Sequence, residues 1–297
     1  MNHTDDAATP HRGARREPMQ LVRPDGAARF LELATPLLVG NEVENGVMIG
    51  VANDVARLRE QPVGVYWAVV MKGGGPVASA MRTGAKLLVS TEGELGATAV
   101  LAADAVRDGT TRVLGPEAAV RAFARAASES TGVSWRPGRS HRIYVLRRVT
   151  PAPPTTGEWR VARVDDTEVL ARWMRAFMEE SGEPREADAV LGERSARRVA
   201  EGSMYVWSDG GVVVSMAAGV GETPNGMRIG AVYTPPEARG RGYATALVAA
   251  VSQHLLDRGR AFTYLYTDLA NPTSNSIYQK IGYRPVADPL ELWVDAS

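Results

Sequence analysis

The residues best suited to chemistry gather late in this chain. Arg228–Leu247 reads RIGAVYTPPEARGRGYATAL. A run of β-formers ends at Pro235 and Pro236, and two glycines follow at Gly240 and Gly242. A helical apolar spacing then begins at Ala244, Leu247, Val248, Val251 and Leu255. Glycines at such a junction let backbone approach a ligand closely. The first N–H groups of a helix lack internal acceptors and lie at the positive end of its dipole. The segment therefore suits a phosphate or diphosphate. Arg239 and Arg241 add positive charge. A tight strand-to-helix turn that needs glycine accounts for the same residues. Two nucleotide loops are excluded: Thr245 stands where Gly-x-Gly-x-x-Gly requires its last glycine, and no Gly-Lys-Ser/Thr follows.

Downstream, Asn271–Tyr283 reads NPTSNSIYQKIGY. Taken with the first stretch, it resembles the signatures of the GCN5-related N-acetyltransferase family. Arg239, Gly242 and Ala244 match that family's acetyl-CoA loop, Arg/Gln-x-x-Gly-x-Gly/Ala. Asn271, Tyr278 and Gly282 match its second motif, Asn-x-x-Ala-x-x-x-Tyr-x-x-x-Gly-Phe, with Ser274 and Tyr283 as mild departures. The resemblance covers residues 158–297. It implies a strand that splays from its neighbour, freeing backbone groups around Val232, Tyr233 and Thr234 for the pantetheine arm. It implies a diphosphate on the amides of Arg239, Gly240, Arg241, Gly242, Tyr243, Ala244 and Thr245. It also places Asn271, Ser274 and Asn275 along the arm and Tyr278 near the thioester sulfur.

The chemistry fits those roles. A backbone N–H can stabilise the oxyanion formed when an amine attacks a thioester. The leaving thiolate needs a proton, and a tyrosine with a pKa of about 10 still carries one at neutral pH. An aromatic packing residue is the bland alternative for Tyr278. The amine must itself lose a proton. Glu222 is the candidate base, with a surface carboxylate or a water relay as the other readings. Asp268 could instead cap the turn at Asn271. With no cysteine and no evident Ser–His pair, direct transfer in a ternary complex is expected over an acyl-enzyme. His254 reads as a structural histidine beside a helix's apolar face, and His141 sits in a basic strand.

Elements must hold these residues in place, and composition bounds what they build. The 297 residues suggest two domains. Thirty-four basic and 34 acidic residues cancel, which disfavours a nucleic-acid partner. The absence of cysteine excludes disulfides, thiolate zinc sites and iron–sulfur clusters, and no metal site is expected. No apolar run approaches the ~18 residues of a membrane helix, and the first residues lack a signal peptide's apolar stretch. The expectation is a cytoplasmic protein with no membrane partner.

Residues 1–18 read as a disordered tail holding His3 and His11, and 151–157 as a proline-rich linker. Residues 19–150 give the order ααβββαβαβ, ending with a strand at His141–Val149. Residues 158–297 give βααβββαβαββ, ending with strands at Tyr283–Ala287 and Leu290–Val294. The shared order reads as a tandem duplication of an α/β (α+β) unit: two mixed, mostly antiparallel sheets flanked by helices. Coincidence between two generic α/β domains is the alternative. At the equivalent point the first half reads LVSTEGELGA, with Glu92 and Glu94 where a diphosphate would bind. It is therefore expected to be a degenerate N-acetyltransferase domain that supports the second, catalytic one. Mycothiol synthases have a comparable layout.

The acceptor is expected to be a small-molecule or peptide amine. Glu179, Glu180, Glu183, Glu186, Asp188 and Glu193, against Arg185 and Arg194, read either as an acidic rim that draws in a cation or as an ordinary solvated face. A homodimer is allowed for. The rival function is a non-catalytic acyl-CoA-binding sensor.

Overall fold

The computed structural model describes residues 17–58, 62–90, 94–182 and 186–295. Expectations for residues 1–16, including His3 and His11, and for Glu92, Glu183 and Arg185 lie outside that set. The first half runs β1 (Gln20–Val22), α1 (Ala27–Leu38), α2 (Gly46–Ala56), β2 (Tyr66–Lys72), β3 (Gly75–Arg82) and β4 (Leu87–Val89). It continues with α3 (Leu95–Ala105), β5 (Arg112–Gly115), α4 (Glu117–Thr131), β6 (Trp135–Pro137) and β7 (His141–Leu146). The second runs β8 (Glu158–Val161), α5 (Thr167–Glu180), α6 (Asp188–Ala200), β9 (Met204–Asp209), β10 (Val212–Val220) and β11 (Gly226–Tyr233). It ends with α7 (Tyr243–Asp257), β12 (Phe262–Asp268), α8 (Pro272–Lys280), β13 (Arg284–Ala287) and β14 (Leu290–Val294). The short strands β1 and β6 were not expected. With them, the two halves have one order of strands and α-helices.

The expectation that each half closes its own sheet is corrected. One sheet has the order β1-β2-β3-β4-β5-β14-β6; the other, read from the matching edge, is β8-β9-β10-β11-β12-β7-β13. The two lists correspond position by position, except that the halves have exchanged β7 and β14. β7 pairs antiparallel with β12 from Thr263↔Leu146 to Asp268↔His141. β14 pairs with β5 from Leu290↔Gly115 to Trp293↔Arg112. The sheets therefore do not divide at the linker.

Where the exchanged strands cross, Glu291 of β14 is 1% exposed and meets the His141 ring at 2.8 Å. Burial alone would raise the Glu291 carboxyl. His141, with Lys86 at 3.7 Å, outweighs it and holds the group down to about 2.

Helices cover both faces of each sheet. In the second half, Leu170, Trp173, Met174 and Leu191 of α5 and α6 pack on Met204, Val206 and Met216. On the other face, Leu247, Val251 and Leu255 of α7 pack on Ala217, Ile229 and Leu265. The halves dock through α2, whose two glycines lie one turn apart. A Cβ at Gly46 would come within 2.5 Å of the Tyr264 ring, and one at Gly50 within 2.4 Å of the Gly221 Cα. The Tyr264 hydroxyl sits between the carbonyls of Gly46 and Gly221, at 2.7 and 2.8 Å.

Candidate functional site

β11 and β12 begin side by side in parallel register: Gly226↔Phe262, Met227↔Thr263, Arg228↔Tyr264. The pairing then stops, although β11 continues to Tyr233 and β12 to Asp268. On its other edge β11 stays on β10 but bulges, so that Ala231 and Val232 together face Ala217. Ala231 takes φ +48°, left-handed backbone that a non-glycine residue rarely adopts. The strand thus bends where it parts from β12.

Beyond β11 the chain turns at Pro236–Ala238 and reaches the glycine loop. Gly240 (φ +79°) and Gly242 (φ +83°) are both left-handed, which explains why glycine is needed there. Gly242 caps α7 without a side chain to satisfy the helix's first donors. Among the described residues, no backbone N–H from Gly240 to Thr245 has an internal acceptor; the first to find one is Ala246, on the Gly242 carbonyl at 3.0 Å. The expected run began at Arg239, but that N–H already bonds the Pro236 carbonyl at 3.3 Å. Space is open too: among the described residues a Cβ at Gly242 would find only Thr155 within 4 Å, at 3.9 Å, and one at Gly240 would find nothing. The loop therefore offers consecutive N–H groups at a positive helix end, which fits a diphosphate.

Several side chains expected to bind a cofactor are engaged elsewhere. The Arg239 guanidinium is held by Glu180 at 2.7 and 2.8 Å, and its Nε donates to the Thr234 carbonyl at 2.8 Å. That carbonyl is therefore not free. Tyr233 is buried against Trp173, and its carbonyl accepts from the Ser215 hydroxyl at 3.1 Å. Tyr243 is 2% exposed, with its hydroxyl on Asp209, so the loop can use only its backbone. Val232 packs toward α7. Ala244 and Thr245 form the first turn of α7, and the Arg241 side chain is exposed beside it.

The second motif forms α8. The Asn271 side chain caps it by accepting from the Ser274 N–H at 3.0 Å. Asp268 does shape this turn, accepting from the Ala270 N–H at 2.8 Å. Asn275 is fully used: its amide nitrogen donates to the carbonyls of Asp268 and Asn271, and its oxygen accepts from the Tyr144 hydroxyl at 3.1 Å. It clamps α8 to β7 and is not free for a ligand. Gln279 donates to the same hydroxyl at 2.9 Å.

Tyr278, 8% exposed, stands between Tyr144 and Tyr283, with ring centroids 6.4 and 5.9 Å away. Among the described residues its hydroxyl has no hydrogen-bond partner. Burial, with Tyr283 beside it, raises its pKa above the ordinary tyrosine value, so it stays protonated.

Glu222 lies away from this group, before the start of β11, where the halves meet. Arg57 holds its carboxylate at 2.7 Å and Arg260 holds the other oxygen. The bond from Arg57 outweighs partial burial, and Arg260 adds to it, so the pKa falls. Asn53 donates to the Glu222 carbonyl at 2.9 Å, and Glu42 clasps Thr223 and Asn225 at 2.6 and 2.7 Å. A carboxylate fixed by two guanidinium groups, with its pKa lowered, is a weak proton acceptor, and here it joins the two halves. The acidic rim is largely neutralised as well: Glu180 pairs with Arg239, Glu186 with Arg194, and Asp188 with Arg175. His254 packs on Trp159 and Tyr205, as a structural histidine would.

Two contributors escaped the sequence reading. Tyr144 reaches α8 only because β7 is exchanged. Thr155, in the supposed spacer, donates to the Arg241 carbonyl at 2.8 Å, so the linker lies against the glycine loop.

Residues 209–294 match the family model described as FR47-like protein. No curated protein matches the sequence. Among solved structures, the chain is similar to a GCN5-related N-acetyltransferase from Sphaerobacter thermophilus. The TM-score is 0.60 at 18% identity, over 93% of this chain and 95% of that one. A GNAT-family acetyltransferase from Colwellia psychrerythraea aligns with TM-score 0.59 at 9% identity, over 93% and 100%. A tandem GNAT protein from the clavulanic acid biosynthesis pathway aligns at 0.57 and 15%, over 94% and 98%.

Proposed function

On a chain that carries the GCN5-related N-acetyltransferase fold twice, we propose that the second half binds acetyl-CoA and transfers its acetyl group to an amine. The observation that supports this most is the run of N–H groups from Gly240 to Thr245, left without internal acceptors beside two strands that part. These donors would hold the diphosphate, and the free edge of β11 near Val232 would hold the pantetheine arm. The acetyl thioester supplies an electrophilic carbonyl.

The remaining steps belong to the chain's own residues. Backbone N–H groups at the Ala231 bulge are suited to face the oxyanion. Tyr278 keeps its proton at neutral pH and donates it to the departing thiolate. With Glu222 committed to Arg57 and Arg260, the amine's proton leaves through water. The chain has no cysteine to form an acyl-enzyme, so the amine attacks directly. The first half supplies Tyr144, and through it the seat of α8.

Release of free thiol from acetyl-CoA in the presence of a panel of primary amines tests this reading. Amine-dependent release is the expected result. Tight acetyl-CoA binding with no release for any amine would replace the enzyme by a sensor.

A further inference from the structure

Across β11 from α7 lies a charge arrangement that the proposed reaction has not used. Arg228 occupies the last β11 position paired with β12, opposite Tyr264. Its neighbours Met227 and Ile229 pack toward α7, so strand alternation sends Arg228 to the other face. There it lies against Gly221, whose added Cβ would be 3.2 Å from the Arg228 Nε. That Nε is buried and, among the described residues, has no hydrogen-bond partner.

Arg198, in the last turn of α6, faces the same place. Its helix neighbours have acid partners, Arg194 with Glu186 and Arg197 with Glu201. Arg198 itself has no ion pair among the described residues. Burial, then the charges of Arg194 and Arg228, lower its pKa to about 10; Asp54 on α2 pulls the other way from beyond ion-pair distance. Two guanidinium groups without a paired acid among the described residues thus lie near one another, where the end of α6 approaches Asp54 of α2 and the last paired residue of β11.

Folding gains nothing from this. Desolvating a charge costs free energy unless a partner repays it, and an isolated buried donor adds to that cost. A planar guanidinium pair is suited to a carboxylate or phosphate. The glycine loop and α8 belong to one face of the strands, and the arginines to the other. A second substrate entering from the arginine side would meet the opening of the strands one residue beyond Arg228.

We propose that Arg198 and Arg228 receive an anionic group, carboxylate or phosphate, carried by the acceptor amine. This rests on the acetyl-transfer reading for its setting and adds an anionic group to the expected amine acceptor.

Two measurements on the full-length protein test it. In the first, acetyl transfer is compared among an amino carboxylic acid, its amide and an amino-alkyl phosphate. The anionic acceptors should be preferred by about tenfold or more, the value of one charge-assisted contact. Arg228→Gln and Arg198→Gln should each raise KM for the preferred anion by a similar factor, leaving kcat and acetyl-CoA affinity within about twofold. Preference for the amide, or unchanged selectivity in both variants, overturns the proposal.

The second measurement needs no turnover. Thermal unfolding is followed in inorganic phosphate or acetate against chloride at equal ionic strength. An anion-specific rise in Tm that is lost in the double variant supports the pair, and its ranking separates phosphate from carboxylate. An equal response in both proteins overturns it. The double variant should fold at least as stably as the native chain in chloride, because it removes two unpaired charges. A chain that binds no acetyl-CoA would sink the function above, while this second measurement would still decide the arginine pair.

Discussion

The β11–α7 junction and its counterpart, the β4–α3 junction, occupy the same place in two copies of one fold. Among the described residues they differ in how many backbone donors are already satisfied. At the head of α7, Gly242 leaves the first N–H groups open. At the head of α3, the equivalent place belongs to Glu94. Its carbonyl accepts from the N–H groups of Ala97 and Thr98 at 2.8 and 3.3 Å, and Lys72 holds its carboxylate at 2.7 Å. The strands differ in the same sense. β11 and β12 part after Arg228 and Tyr264. β4 and β5 stay together to their ends: a Cβ on Gly115 would lie 2.5 Å from a Val89 methyl and 2.8 Å from the Val89 carbonyl oxygen. Among the described residues, the first half has paired part of what the second keeps open, and the proposed coenzyme site rests on that difference.

The sharpest way to break this contrast is Gly242→Glu. It places a carboxylate at the open amides and a side chain at φ +83°. Acetyl-CoA affinity should fall by about a hundredfold or more, since charge-assisted contacts are lost and repulsion is gained. Calorimetry giving near-native affinity would remove the loop from the account. Next comes Tyr278→Phe, which keeps the packing between Tyr144 and Tyr283. Turnover should drop by about 10²-fold, the usual worth of a positioned acid, with acetyl-CoA affinity nearly unchanged. Steady-state kinetics with unchanged kcat would transfer the proton to solvent.

A third test concerns what the halves share rather than what separates them. The folded state holds Glu291 at about 2, below its unfolded value near 4.3, so its ionised form favours folding. That stabilisation, on the order of 3 kcal/mol, is present above about pH 5 and is lost as pH falls toward 2. Denaturation midpoints of the native chain and Glu291→Gln, compared from pH 7 down to 2.5, should converge at the acid end. A constant gap would mean that the crossing gains nothing from the charge. The smallest effect is expected from Glu94→Gly. Removing the acidic residue does not part β4 from β5, so acetyl-CoA should still bind one site per chain. A second site in titration would show that Glu94 alone had closed the first half.

The local parts of this architecture were legible in the sequence. Two glycines between a strand and an apolar-striped helix marked the loop, and the Asn271–Tyr278 spacing marked the capped α8. The charges of Glu92 and Glu94 set the expectation of a first half without the site. What escaped depends on distant partners. β7 and β14 alternate as any strands do, and no local pattern says which sheet a strand will join. Arg239 looked free because Glu180 is 59 residues away in sequence. Glu222 looked free because Arg57 belongs to the other half. β1 and β6 are three residues each, too short to show a period.

A crystal structure of the full chain with coenzyme A decides whether the Gly240–Thr245 loop is where the coenzyme binds. The diphosphate is expected within hydrogen-bond reach of the amides between Gly240 and Thr245, the pantetheine arm between β11 and β12, and nothing at the head of α3. Coenzyme A at the α3 end, or a Gly240–Thr245 loop left bare at saturating ligand, would contradict that placement.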